Sequence, residues 1–501
     1  MDTTNPSRLV IVSNRLPFEI EKKEEEISLR PGSGGLVTAM APVLRNRGGV
    51  WVGWPGTAEC SDEAVRKVME EADSEVGFTF SPVFLSQEDV ELYYHGFSNE
   101  VIWPLFHDLQ TQCRFLPEYW KSYQKVNEAF ANTCLQTIHS EDFIWVHDYQ
   151  LMLLGESLRN KGVESKIGFF LHIPFPPPDI FMKLPWRFEI LHALLKYDLI
   201  GFQTARDHRN FINCIRFLKE DVHIQGGKGM HICHSHGREV RIGTFPISID
   251  FNEFATHAAS QEISKEAWLL HENWSGQKII FSLDRLDYTK GILDRLEAVR
   301  IFLQQHPEFH KKICFVQTVV PSRTKIDGYQ ALKQDIDRLV GEINSQFSRE
   351  NWVPIHYVFR SLKRSELLAF YRTSDVALVS PVKDGMNLVA KEYVACQTEK
   401  NGVLLLSEFA GAASQFQQGA LLIHPYDLEG VAQAIYYALT MSEEERHKRM
   451  DLLRRNVKRY NIFWWTKMFL KMAFAKELTD FPIIREYVPK ESALEQEVGI
   501  F

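Results

Sequence analysis

Short runs rich in β-branched and aromatic residues, each ending in a polar loop and followed by a helical pattern, recur along the chain. This alternation restricts the fold to parallel α/β units. In the first half the runs are RLVIVSNR, FIWVHD, KIGFFLHIP and DLIGFQT; after RIGTFPISID the rhythm restarts with KIIFSLDR, KICFVQTVVPSR, PIHYVFR, DVALVSP and GVLLLSE. At 501 residues the chain exceeds one ordinary core. Two doubly wound, Rossmann-like domains joined near residues 245–250 fit the pattern better than one large sheet, the first spanning 1–245 and the second 246–462. Open parallel sheets bind ligands outside the carboxyl ends of their strands, so two facing sheets would enclose a cleft lined by those loops.

Composition narrows the partners. A net charge of −8 argues against nucleic acid or an acidic membrane surface as the main partner, while leaving room for local basic pockets. Seven cysteines stand singly, without a CxxC pair, which fits a reducing cytoplasm. The start, MDTTNPSR, lacks the basic and apolar regions of a secretory signal. No apolar run reaches the length of a membrane span, and NIFWWTKMFLKMAFA, interrupted by lysines, reads as an amphipathic helix. The closing ESALEQEVGIF reads as a loosely held acidic tail.

Several strand-end loops carry chemistry. In KIIFSLDRLDYTKGILDRLEAVRIFL a strand ends near Asp284 and a helix begins near Gly291 with Leu296, Val299 and Leu303 on one face. Arg285 and Lys290 then project from the loop between them. A guanidinium fork and a mobile ammonium can together stabilise a departing diphosphate without a metal; the same residues would also suit an ordinary solvated loop. In DVALVSPVKDGMNLVAKEYVACQ a helix begins near Leu388, and the amides around Asn387, Leu388 and Val389 form an anion site. Gly385 allows close backbone approach, Asp384 can accept from sugar hydroxyls, and Glu392 can accept from a ribose diol. A turn role for Asp384 and a surface pairing for Glu392 are the plainer alternatives.

In the first half, Arg15 ends the strand of RLVIVSNRLP, and Gly34 and Gly35 of GSGGLVTAM open a helix whose apolar face includes Leu36, Met40 and Val43. Paired glycines suit a ligand-contacting loop or a simple turn, and they do not form the GxGxxG fingerprint of nicotinamide binding. His147 and Asp148 follow FIWV, and His172 follows KIGFFL. At strand ends, His172 could bond a sugar hydroxyl and Asp148 could orient an acceptor hydroxyl; both residue types also serve structural roles there. HICHSHG, with His231, Cys233, His234 and His236, invites a metal check, but it has no second ligand cluster, and GREVRIG beside it reads as a hairpin.

Taken in order, VSNRLP, GSGGL, WVGWPG, YYHGFSNEVIWPLFH, WVHDYQL, GFFLHIPFP, RLDYTKG, PSR, DGMNLVAKEYVA and LSEFAGAA resemble the trehalose-6-phosphate synthases. These are retaining glucosyltransferases of the two-Rossmann-domain GT-B type, and the resemblance runs from VIVSNR to about residue 470. It implies transfer of glucose from UDP-glucose to glucose 6-phosphate, giving an α,α-1,1-linked disaccharide phosphate and UDP. It further implies that Arg285 and Lys290 hold the donor diphosphate, Glu392 the ribose, and the amides of Leu388 and Val389 the anion. Asp384, Gly385, Met386 and Asn387 would surround the donor glucose, Gly34 and Gly35 would close over the donor, and His172 would contact its sugar. The acceptor phosphate would be gripped by Arg15 and Arg323 with Tyr94 and Trp103, and its sugar met by Trp54 and Asp148. Read without the resemblance, Tyr94 and Trp103 are core aromatics.

The implied mechanism is front-face return, in which the leaving phosphate oxygen takes the acceptor proton, with no carboxylate nucleophile, metal or other cofactor. The resemblance also implies a final helix, about 463–485, crossing back to the first domain, and a separate phosphatase downstream. Oligomeric state is left open, a homo-oligomer included. The neighbouring family of glucosylglycerol-phosphate synthases, using glycerol 3-phosphate, shares much of the donor site; GSGGL and the arginine of PSR favour a hexose phosphate. A catalytically silent sugar-phosphate sensor would be marked by lost donor residues, yet Arg285, Lys290, Asp384 and Glu392 are all present.

Overall fold

Six consecutive residues of β1 (Leu9–Arg15) are buried and only Arg15 is exposed, as a central parallel strand covered on both faces requires. A computed structural model describes residues 8–489 apart from 24–25, 32–39, 42, 46–47, 59–61, 220, 228, 236, 275, 324–325 and 476–480. The chain divides into two units, Met1–Ile247 with Ile462–Arg485, and Ser248–Asn461 with the chain from Glu486. Both are α/β units built on parallel sheets.

In the first unit the strands after β1 are β2 (Phe18–Lys23), β3 (Glu26–Pro31), β4 (Gly49–Trp54), β5 (Thr79–Pro82), β6 (Phe143–His147), β7 (Ile167–Phe170), β8 (Leu199–Phe202), β9 (His223–Gly227), β10 (Met230–Ser235) and β11 (Arg238–Thr244). Among the described residues the sheet order is β5-β4-β1-β6-β7-β8-β11-β10-β9, while β2 and β3 form a separate antiparallel ribbon. Neighbours from β5 to β11 are parallel, and β10 and β9 extend the edge as antiparallel strands. The chain builds from β1 to β4 and β5 on one side and to β6, β7 and β8 on the other. Such a reversal opens a crevice at the carboxyl ends of the two central strands, where Arg15 ends β1 and His147 ends β6.

The helix Ile462–Phe474 packs on this sheet over a run of glycines. A Cβ at Gly168 or Gly201 would come within 2.9 Å and 2.7 Å of the Phe469 ring, and one at Gly243 within 2.9 Å of Met472. Three adjacent strands therefore lack side chains where the helix needs room. Phe469 fills that groove and stacks on Trp145 at 4.3 Å between ring centres. At the helix end Lys166 donates to Ala473 O at 2.7 Å, and Arg241 to Met472 O and Ala475 O, both at 2.7 Å. Cations thus meet the carbonyls that the last helical turn leaves unpaired.

The second unit contains β12 (Lys278–Arg285), β13 (Ile313–Val320), β14 (Ile355–Val358), β15 (Val376–Val379), β16 (Val403–Ser407) and β17 (Leu421–Ile423), all parallel. Their order, among the described residues, is β14-β13-β12-β15-β16-β17. The reversal falls between β12 and β15, so the loops leaving those strands share a crevice. Helix Ile292–Gln305 follows β12 and buries Leu296, Val299 and Leu303, the face its spacing predicted.

Candidate active site

In the second unit the loop after β12 is shaped by three side chains. Asp287 accepts from Thr289 N at 3.0 Å and from Thr289 Oγ1 at 2.9 Å, which curls residues Tyr288–Lys290 into a turn. Gly291 then takes φ +61°, where a Cβ would lie 2.5 Å from Ser380 O; glycine is needed for both the conformation and the approach. Below the loop, the wholly buried guanidinium of Arg295 donates to Asp284 Oδ2 at 2.6 Å, Ser380 Oγ at 2.8 Å, Lys290 O at 3.0 Å and Gln317 Oε1 at 3.2 Å. One cation thus ties the ends of β12 and β15 to the loop. Burial pushes the Asp284 carboxyl above its usual range, against the pull of Arg295 and Lys290.

Lys290 emerges from this base with its Nζ 2.6 Å from Asp384 Oδ2. Asp384 also accepts from Asn387 Nδ2 at 3.2 Å and from Met386 N at 3.3 Å. Asn387, at φ +75°, caps helix Leu388–Cys396 by accepting from Ala390 N at 3.1 Å. The amides of Leu388 and Val389 stand in the first turn, where helices leave N–H groups for an anion. The loop after β16 is joined to this segment: Asp384 N donates to Phe409 O at 3.3 Å, Gly411 N to Asp384 O at 3.1 Å and Ala412 N to Met386 O at 2.9 Å. Gly411 carries no side chain because Gly385 O occupies that space.

Arg285 ends β12 and is exposed. Glu392 accepts from Tyr371 OH at 2.9 Å, and burial raises its pKa against that hydrogen bond and the charge of Arg364. Arg323, at φ +49°, gives Nη1 to Tyr329 OH at 2.7 Å and to Asp287 Oδ2 at 3.3 Å. Burial opposes ionisation of Asp287, but the charges of Arg323 and Lys290, the Thr289 amide and Arg285 together hold its pKa below the usual carboxylate value. In the same helix Lys391 is buried; burial brings its amine down to about 7, and it donates to Gln415 Oε1 at 2.8 Å.

In the first unit Arg15 sets its guanidinium Cζ 4.6 Å from the centre of the Trp54 ring. Trp54 lies 6.0 Å from Tyr94, ring centre to ring centre. Tyr94 belongs to a wide helix, Val90–Ile102, closed by a bond from Trp103 N to Ser98 O, five residues back. Such widened turns gather at functional sites. Here Tyr93 OH donates to Asn14 Oδ1 at 2.9 Å, fixing the helix beside the end of β1. Asn99 links the next shell, giving Nδ2 to Tyr94 O at 2.6 Å and accepting from Tyr149 OH at 2.9 Å. Trp103 is buried, its ring centre 4.3 Å from that of His107 and 5.8 Å from that of Tyr149, both pairs tilted.

Asp148 adopts φ +77° and ψ 169°, a region that is essentially reserved for glycine and costs on the order of 1–3 kcal/mol for other residues. It is held there by Asp148 N donating to Phe170 O at 2.8 Å and by its Oδ1 accepting from His172 N at 3.1 Å. His147 Nδ1 and His172 Nε2 share a hydrogen bond of 3.0 Å. Burial brings His172 down to about 3 and, with His172 beside it, holds His147 well below the ordinary imidazole value. The pair is neutral near pH 7, suited to orient a hydroxyl rather than to carry charge.

Arg15, Trp54 and Tyr94 therefore form one group, Asp148 and His172 another at the neighbouring strand ends, and Arg285, Lys290, Asp384 and Asn387 a third around β12 and β15. Gly34 and Gly35 lie outside the described residues, as does His236. His231 hydrogen-bonds His208 at 3.0 Å, and among the described residues no group of three metal-ligating side chains is found. Sequence reasoning missed Arg295, Asp287, Asn14, Tyr93 and Asn99. Arg295 had a signal: it falls beside Leu296 and Val299 on the apolar helix face, where an unexplained charge marks a buried partner. Asp287 had one too, since an aspartate two residues before Thr289 suits a local turn; Asn14, Tyr93 and Asn99 had none, because Tyr93 meets Asn14 and Tyr149 meets Asn99 across long stretches of sequence.

Residues 7–474 match the profile of glycosyltransferase family 20. A trehalose-6-phosphate synthase of Mycolicibacterium vanbaalenii is 41% identical over 474 residues, covering 93% of this chain and 96% of that protein. A solved UDP-forming α,α-trehalose-phosphate synthase of Burkholderia xenovorans, in complex with glucose-6-phosphate, superposes with a TM-score of 0.83 at 34% identity, covering 93% of this chain and 99% of the other. An E. coli structure bound with UDP-2-fluoro glucose is similar with a TM-score of 0.83 at 35% identity, covering 94% and 99% of the two chains.

Proposed function

Because the chain belongs to glycosyltransferase family 20, we infer that it transfers glucose from UDP-glucose to glucose 6-phosphate with retention, giving trehalose 6-phosphate and UDP. The observation that carries this reading is the loop pair of the second unit, where Lys290 meets Asp384 beside the helix start at Asn387. It offers cation, sugar-hydroxyl acceptor and anion-binding amides together, the set a nucleotide-sugar needs.

In this reading Arg285 and Lys290 neutralise the diphosphate as the glycosidic bond breaks, where preorganised charge lowers the barrier most. The amides of Leu388 and Val389 take phosphate oxygens and Glu392 the ribose diol. Asp384, Gly385, Met386 and Asn387 surround the donor glucose, with His172 contacting its sugar and Gly34 and Gly35 closing over the donor. Asp384 accepts a glucose hydroxyl once Lys290 turns to phosphate, an exchange of one anion for another. Arg15, Tyr94 and Trp103 hold the acceptor phosphate, and Trp54 and Asp148 its sugar. Arg323, whose Nη1 meets Asp287 and Tyr329, joins that phosphate. The acceptor hydroxyl attacks the anomeric carbon from the side the diphosphate leaves, and its proton passes to the departing phosphate oxygen. The reading assigns no step to a metal.

The test is a matrix of UDP-, ADP- and GDP-glucose against glucose 6-phosphate, glycerol 3-phosphate and glucose, followed by nucleotide release. Turnover is expected with UDP-glucose and glucose 6-phosphate. Release with no acceptor combination would sink the enzyme reading, and turnover with glycerol 3-phosphate but not glucose 6-phosphate would sink the acceptor.

A further inference from the structure

The turn after β4 runs Trp54-Pro55-Gly56-Thr57, and Trp54 Nε1 donates across it to Thr57 O at 3.2 Å. Trp54 is nearly buried, so the face it offers to Arg15 is fixed. Gly56 within the turn has φ +95°, a backbone value that side chains rarely adopt. Space is a second constraint. A Cβ built on Gly56 would lie 2.8 Å from Arg15 Cζ and nearer still to Nη1. The guanidinium occupies the volume that any side chain at position 56 would claim.

We infer that Gly56 is a positioning residue for acceptor recognition: its missing side chain lets the turn close on Arg15 and seat the guanidinium against Trp54. This rests on the reading of Arg15 as the acceptor-phosphate grip. An arginine whose π face lies on an indole keeps its in-plane N–H groups for an anion, and the fork binds phosphate oxygens well only in a fixed orientation. A methyl group at 56 displaces Nη1 and tilts that fork. The effect falls on the phosphorylated acceptor and spares the donor.

Gly56→Ala, Arg15→Ala and the double variant of the full chain test this, with kcat and KM measured for glucose 6-phosphate and UDP-glucose. Arg15→Ala should raise the KM for glucose 6-phosphate roughly 10- to 100-fold, the size of a lost charged hydrogen bond. Gly56→Ala should raise it about tenfold on the same grounds, leaving the KM for UDP-glucose within about twofold. In the Arg15→Ala background the volume is vacant, so adding Gly56→Ala should change the acceptor KM by less than about twofold. An equal loss in both backgrounds would mean that only the backbone conformation demands glycine, and the inference would fall. No acceptor effect from Gly56→Ala where Arg15→Ala has one overturns the inference alone. No effect from Arg15→Ala overturns the phosphate reading, and the inference with it. If Gly56→Ala does not fold, the double variant decides: folding restored by Arg15→Ala supports the steric account, and failure of both overturns it.

Discussion

Arg15 in the first unit rests its guanidinium on the Trp54 ring at 4.6 Å and has no carboxylate partner among the described residues, whereas in the second unit Lys290 is pinned to Asp384 at 2.6 Å. Arg295 there is locked to Asp284 at 2.6 Å and Arg323 meets Asp287 at 3.3 Å. The difference is one of currency. An aromatic face fixes where a charge sits without neutralising it, so the full charge remains for an incoming anion. A carboxylate neutralises as it fixes, so a ligand must displace it, and the loop stays folded while the site is empty. Function and stability should therefore separate in the first unit and be coupled in the second.

The strongest test of that coupling is Arg295→Met, which leaves Asp284 buried without its cation and should cost about 3–5 kcal/mol of stability, read from urea or thermal unfolding. A loss below about 1 kcal/mol, the range of exposed pairs, would show that the network under the loop is not what holds it. Lys290→Ala comes next. It should lower kcat/KM roughly 100- to 1,000-fold, as when a donor aimed at developing charge is removed, and should also lower the unfolding midpoint because Asp384 loses its partner. Unchanged stability would break the coupling even if activity fell. Arg15→Ala, whose acceptor effect is given above, should cost less than about 1 kcal/mol of stability, the range of an exposed cation–π contact. A loss as large as that of Arg295→Met would erase the contrast between the units.

Much of this was legible in the chain itself. Strand runs ending in polar loops located β1, β6, β7, β8 and β12 through β16, because buried parallel strands demand continuous apolar residues. The basic loop RLDYTKG and the helix start at DGMNLV stood out because a strand end, a glycine and a charge within a few residues is a local pattern. The pairing of Lys290 with Asp384 did not, since the two are far apart in sequence and meet only because β15 lies beside β12. Asp148 looked like an ordinary strand-end carboxylate, and its near-glycine backbone follows from bonds to Phe170 and His172. That the empty side of Gly56 seats Arg15 depends on β4 lying next to β1.

The sequence by itself determined the class of fold, many of the strands and the family, because hydrophobic period, turn chemistry and motif order are local and survive being read in one dimension. Tertiary structure alone decided which loops share a crevice and how each cation is held. Sheet order places the switch points, and a charge takes its partner from whatever the neighbouring strand brings within a few ångströms.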